Sequence, residues 1–293
     1  MRKIKDSLKI AGFLLPSYSI FFVFIFFPLI YSFYLSFFHY SLLSYNAPRF
    51  TGLQNYITLL KDPIFWVSLK NTMTYTIGTV IPTMGIGLFM AIILNSKLKL
   101  KNFFRTAYFI PVVTSLVAAS IIWSLILDST DAGLVNSFLV QLGIPPQAWL
   151  SSSRWALFSV IIVNIWKNIG YVMIIYIAGL QSIPEQLYEA ITIDGAGEWE
   201  KFYYITLPLL KPTTSFVFTT SLIGSFQVFT PVYIMTGGGP GYSSNTIVNY
   251  LYQQGFQNFR MGYASTIAYA LFTILFVMTI LQKKYLKAEE VLY

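Results

Sequence analysis

Apolar residues in this chain gather into six long stretches, roughly 10–38, 72–94, 107–127, 155–180, 213–235 and 262–281. Each is long enough to cross a bilayer as a helix of ~20 residues, so the pattern predicts an all-α, polytopic membrane protein with six spans. Short polar connections separate them, and no boundary divides 1–293 into more than one membrane domain. Pro16 and Pro28 fall inside the first stretch, which predicts kinks there or one helical piece lying at the interface.

Two spans carry polar residues in register. Asn164, Lys167, Asn168 and Tyr171 stand at i, i+3, i+4 and i+7 of the fourth, so they share one helix face. Lys167 lies about twelve residues into the span, near mid-depth at ~1.5 Å per residue, too deep to snorkel out easily. An ammonium there needs water, a carboxylate or several carbonyl and hydroxyl oxygens. All eleven Asp and Glu residues lie in connections or tails, so no carboxylate within a span can pair with it. The stripe is expected to face a hydrated cavity, with Lys167 donating to the solute or, as the rival reading, bonding a partner subunit. Ser221, Ser225 and Gln227 in the fifth span, with Gly224 beside them, are expected to join it, although small residues also serve plain helix packing.

The longest punctuated polar interruption is 183–212, IPEQLYEAITIDGAGEWEKFYYITLPLLKP. Pro184 predicts the start of a short amphipathic helix to 193, and Gly195 a left-handed turn. A second short helix is predicted over 198–205, ended by Pro208 and Pro212. The order Glu189-Ala190, Gly195, Ile205-x-Leu207-Pro208 matches without gaps the EAA loop of ABC-importer permeases. One position departs, with Ile191 standing where the family has a second Ala.

The chain is similar to the carbohydrate-uptake branch of that family, and residues 248–266 resemble the external loop and last span of the same branch. The resemblance implies one permease subunit of a bacterial binding-protein-dependent importer, supplying half of the pathway for a sugar or oligosaccharide. It implies that Glu189, Ala190, Asp194, Gly195, Ala196, Ile205, Leu207 and Pro208 meet a cytoplasmic ATPase, and that Asn164, Lys167, Asn168 and Tyr171, with Ser221, Ser225 and Gln227, line the sugar's path. The implied partners are a second homologous permease, an ABC ATPase dimer and an extracytoplasmic solute-binding protein. The same architecture could carry a glycerophosphodiester or polyol. A secondary transporter or channel is the alternative from another class, and it would need a coupling-ion site.

Composition agrees with a bilayer protein: 56% of residues are hydrophobic and only 10% charged, against ~25% in soluble domains. The net charge of +8 reflects basic residues beside apolar runs and calls for no nucleic acid. There is no cysteine, and the single histidine, His39, is assigned no role. The glycine cluster Thr236–Thr246, TGGGPGYSSNT, has no Lys-Ser or Lys-Thr after it, so it reads as a tight turn and not a phosphate loop. No metal, cofactor or catalytic motif is expected, and ATP hydrolysis would belong to another subunit.

With the N-terminus inside, thirteen of the nineteen Lys and Arg residues fall in inner segments, five in outer ones, and Lys167 within a span. That bias predicts a multi-pass protein of the bacterial cell membrane with both termini cytoplasmic. Because the chain lacks native cysteine, single substitutions test it directly. An impermeant maleimide applied to intact cells should label Gly133→Cys and Gly241→Cys but not Lys99→Cys or Gly195→Cys, and outside labelling of Lys99→Cys would reverse the orientation.

Overall fold

The computed structural model describes residues 13–43, 47–96 and 99–286. Five helices are long and apolar enough to span a membrane: α1 (Phe13–Ser36), α3 (Pro63–Asn95), α7 (Ala156–Gln181), the run Lys211–Met235, and the greater part of α13 (Met261–Leu286). The sixth is a pair, α4 (Lys101–Val113) and α5 (Leu116–Ile126), bent by 97°. Shorter helices α2 (Gln54–Lys61), α6 (Leu134–Gln141), α8 (Glu185–Ile193) and α9 (Glu198–Lys201) occupy connections. The run after α9 holds α10 (Lys211–Phe226) and α11 (Thr230–Met235), and α12 (Ile247–Tyr252) follows.

Several expectations need correction. Residues 107–127 are not one straight span: Thr114 and Ser115 are extended, and the Ser115 hydroxyl accepts from Ala118 N–H to start a new helix. The fifth span is interrupted at Gln227–Phe229, with Pro231 restarting it in a first turn where its missing N–H is no loss. α3 begins nine residues earlier than its expected start, at Pro63. Residues 10–12 of the first expected span lie outside the described residues.

Proline also behaves differently from expectation in the 183–212 segment. Pro208 and Pro212 do not end the second helix. They occupy first turns of successive helical pieces, with Leu210 the one non-helical hinge before α10. A π turn at Phe202–Thr206, closed by Leu207 N–H to Phe202 O, comes directly before Pro208. The same arrangement occurs in α1, where the π turn Phe22–Phe26 is closed by Phe27 N–H to Phe22 O one residue before Pro28. The wider turn moves carbonyls away from the ring that would otherwise strike them, so both helices continue.

The contacts divide the chain into two compact units. One contains residues 1–62 and 251–272, including the first half of α13. There the end of α1 is tied down by Asn55, which donates to Ser36 O and Phe38 O at 2.8 and 3.0 Å, and Tyr263 of α13 donates to Asp62, just after α2, at 2.5 Å. His39 pairs with Arg49 in a two-residue antiparallel ladder.

The other unit holds 63–250 and the end of α13, with α7 at its centre. Glycines set how closely its helices meet. A Cβ on Gly170 would strike Tyr108 O of α4, and one on Gly87 of α3 would sit 2.7 Å from Val172. Small residues allow this approach where lipid leaves packing as the main attraction. Arg105 of α4 donates to Leu94 O at 2.8 Å, capping the end of α3.

Loop 128–154 folds around Asn136, which is fully buried. Its amide nitrogen donates to the carbonyls of Asp128, Thr130 and Gln147, and its oxygen accepts from Gln147 N–H and Trp149 Nε1. Asn136→Leu would strand these groups at ~1–3 kcal/mol each, not additively. We expect a thermal midpoint several degrees lower for the purified protein and faster protease nicking within 128–154. An unchanged midpoint would show that the loop is held by something else.

Candidate functional site

α7 is buried on most sides, and its polar stripe is where packing stops. The stripe opens on a cavity of about 530 Å³. Asn164, Lys167, Asn168 and Tyr171 all line it, and so do Ser221, Ser225 and Gln227 of the fifth span. The structure therefore brings all seven expected pathway residues to one wall system.

The reason is partly local. Helical spacing puts the α7 residues on one face, and Asn168 is steadied by donating to Asn164 O and Oδ1 at 3.0 and 3.1 Å. The interruption at 227–229 adds exposed chain: Gln227, Phe229, Thr230 and Pro231 form one side of the cavity. Gly224 on α10 leaves room, since no atom lies within 4 Å of where its Cβ would be.

Sequence reasoning missed the contribution of α3. Thr79 and Thr83 line the cavity, with the Thr79 hydroxyl 3.2 Å from Ser225 Oγ. Their signal was the row Thr72, Thr76, Thr79, Thr83 at helical spacing. Threonines in helices usually bond back to their own backbone, as Thr79 does to Tyr75 O at 2.8 Å, so the row carries little warning of a site.

Lys167 differs from expectation in its partners. It is buried, at 7% exposure, and lies in the cavity wall. Its ammonium donates to three carbonyls, Pro111 O at 2.6 Å, Val112 O at 2.9 Å and Thr114 O at 2.9 Å. An ammonium has three N–H groups, so the donors and acceptors are matched in number. The oxygens come from the break between α4 and α5 and from no carboxylate. Among the described residues every Asp and Glu lies outside the candidate spans.

The 183–212 segment makes a second site. α8 ends in a hydrogen-bonded left-handed turn: Gly195 has φ +87°, Gly195 N–H donates to Thr192 O at 3.0 Å and Ala196 N–H to Ile191 O at 3.1 Å. Nothing crowds Gly195, so glycine is required there by conformation and not by space. Glu200 reaches back to Gly197 N–H at 2.5 Å to start α9, the one half of a capping box open to a glycine N-cap. The Tyr188 and Thr206 hydroxyls meet at 2.9 Å across the elbow. Glu189, Ala190, Asp194, Gly195, Leu207 and Pro208 are exposed, while Ala196 and Ile205 are half-buried. Glu185, Tyr188, Glu189, Thr192 and Ile193 outline a shallow groove, and Ile193 (86% exposed) and Trp199 (77%) stand out beside it.

Residues 83–286 match the family model described as the inner membrane component of binding-protein-dependent transport systems. The chain belongs to that family. The match takes in the whole of α7, α10 and the 183–212 segment, but begins within α3 after Thr79.

This permease is 40% identical over 266 residues to the arabinooligosaccharides transport system permease protein AraP of Bacillus subtilis (strain 168), covering 90% of this chain and 84% of that one. It is 39% identical over 240 residues to the lactose transport system permease protein LacF of Rhizobium radiobacter, covering 80% of each. In fold it resembles a chain of a bacterial ABC transporter involved in importing the acidic polysaccharide alginate, with a TM-score of 0.85 over 100% of this chain and 99% of that one, at 23% identity. The permease is thus a multi-pass inner-membrane transport subunit and not an enzyme.

The cavity geometry has a direct check in this cysteine-free chain. Asn164→Cys and Ser221→Cys should react with a small water-soluble thiol reagent, whereas Val163→Cys and Met173→Cys, buried on α7 away from the stripe, should resist it. Equal reactivity at all four positions would mean that the stripe does not mark the cavity.

Proposed function

We propose that this permease forms half of the translocation pathway of an ABC importer for a sugar or oligosaccharide. In this reading the cavity is the solute's passage and the 183–212 segment is the seat of an ATPase. The observation that carries it is the convergence of polar residues from two separate spans on one cavity in a chain whose relatives include permeases for arabinooligosaccharides and lactose. At about 530 Å³ the cavity falls among small-molecule sites of roughly 300–1,000 Å³.

The chemistry suits a polyhydroxylated solute. Asn164, Asn168 and Gln227 offer amides that both donate and accept, and Ser221, Ser225, Thr79 and Thr83 offer hydroxyls. Tyr171 and Phe229 bring rings to the wall on which a pyranose face can stack, and Lys167 lies in the same wall. A secondary transporter is disfavoured because the described spans hold no acidic residue for a coupling ion.

Both termini are then cytoplasmic, as the Lys and Arg bias favours, and the elbow at Gly195 faces the ATPase. Glu189 stands on an exposed rim, available to a basic residue of that partner. A second permease supplies the other half of the pathway, and a solute-binding protein delivers the sugar from outside.

The test is uptake by the importer reconstituted with its partners. Asn168→Leu and Gln227→Leu should lower sugar uptake roughly tenfold or more each, the scale of a site's unpaired polar groups. Glu189→Lys and Gly195→Val should abolish uptake or uncouple it from ATP hydrolysis while leaving membrane insertion intact. Gly195→Val forces a left-handed backbone on a β-branched residue, at ~1 kcal/mol or more. Full uptake by both loop variants with the ATPase still bound would sink the docking assignment.

A further inference from the structure

The 97° bend between α4 and α5 is an unusual feature to place inside a candidate span. Where a helix breaks, carbonyls that would have accepted N–H groups one turn later are released, and in hydrocarbon each must find another donor. At this break Ala118 N–H turns to the Ser115 hydroxyl, so Thr114 O loses its helical partner. Val112 O would have taken Leu116 N–H, but that residue now opens α5.

Both released oxygens are taken up by Lys167, which also shares Pro111 O with Thr114 N–H. The carbonyl end of a helix carries partial negative charge, so an ammonium suits it electrostatically as well as in number of bonds. One turn further along the same face of α7, Gly170 lets Tyr108 O of α4 come against the helix backbone. Two neighbouring positions of α7 therefore hold the last turns of α4, one by charge and one by absence of a side chain.

We propose that Lys167 is a positioning residue: its ammonium clamps the α4–α5 corner onto α7 and so fixes the cavity wall, and it is not a ligand of the solute. This goes beyond the sugar reading and narrows it. With its ammonium buried and its three N–H groups already committed, Lys167 has no donor left for a solute, so direct pairing with an acidic solute group should not depend on it.

The test compares Lys167→Met, which keeps the stem and removes the donors, with Lys167→Arg, which keeps donors and charge. Hydrogen–deuterium exchange of the assembled importer in nanodiscs reads the amides of 114–120 directly. In Lys167→Met we expect their exchange to speed up by roughly tenfold or more, with Lys167→Arg recovering most of the protection. Uptake in the same preparations should fall in Vmax while KM and the ranking of neutral and acidic sugars stay as in the wild type.

Exchange at 114–120 that is unchanged in Lys167→Met would overturn the clamp. So would a KM raised selectively for one class of sugar with the corner still protected, which would make Lys167 a solute ligand. If Lys167→Met does not assemble, Lys167→Gln, whose amide can serve two of the three carbonyls, should show intermediate protection, and wild-type protection there would equally refute the clamp. The exchange readout needs no sugar, so failure of the sugar assignment would appear as lost uptake preferences with the exchange pattern intact.

Discussion

A backbone carbonyl inside a membrane has no water to turn to, and the architecture of this permease follows from how that demand is met at each place where a helix stops. Two candidate spans break within the unit that holds the cavity, at Thr114–Ser115 and at Gln227–Phe229. At the first, Lys167 supplies the donors. At the second, Thr246 donates to Val228 O at 3.1 Å from the glycine-rich connection. That connection is itself anchored to α3, where Asn71 donates to Tyr242 O and Asn245 O. Side chains from distant parts of the sequence thus make irregular backbone tolerable, and irregular backbone exposes Gln227, Phe229 and Leu116 to the cavity.

The same demand explains why prolines in this chain extend helices more often than they end them. Ahead of Pro28 and Pro208 a π turn takes up the extra room, and Pro212 and Pro231 stand in first turns where an N–H has no helical partner in any case. Around Pro208 the outcome is a nearly unbroken helical path from α9 to α10, bent at Leu210. Leu210 is fully buried, and it packs with Val172, Met173 and Tyr176 of α7 and with Ile183.

That packing ties the two proposed sites together mechanically. α7 carries one wall of the cavity and runs into the 183–212 segment through Ser182–Pro184; α10 carries another wall and runs out of it. Ile183 and Leu210, at the two ends of the segment, belong to one hydrophobic cluster. A push on the exposed elbow at Gly195 would reach both cavity walls through that cluster, which is the connection an ATPase-driven importer needs.

The spans, the polar stripe of α7 and the elbow at Gly195 were legible in the sequence because each depends on neighbours a few residues away: hydropathy over a helix length, spacing of 3.6, and the φ that only glycine adopts freely. That Ser221, Ser225 and Gln227 need a polar place to face was legible for a similar reason, although that they share the cavity of the α7 stripe is a matter of tertiary structure. Tertiary structure alone decided the rest. Lys167 finds its acceptors 53–56 residues away, Asn136 gathers a loop by bonds across eleven and thirteen positions, and Thr79 meets Ser225 across 146. Periodicity states which side of a helix a residue occupies but not which helix lies opposite. For that reason a buried lysine could be recognised from the sequence as needing oxygens, while the three carbonyls that supply them became identifiable only once the neighbouring span was seen to break beside it.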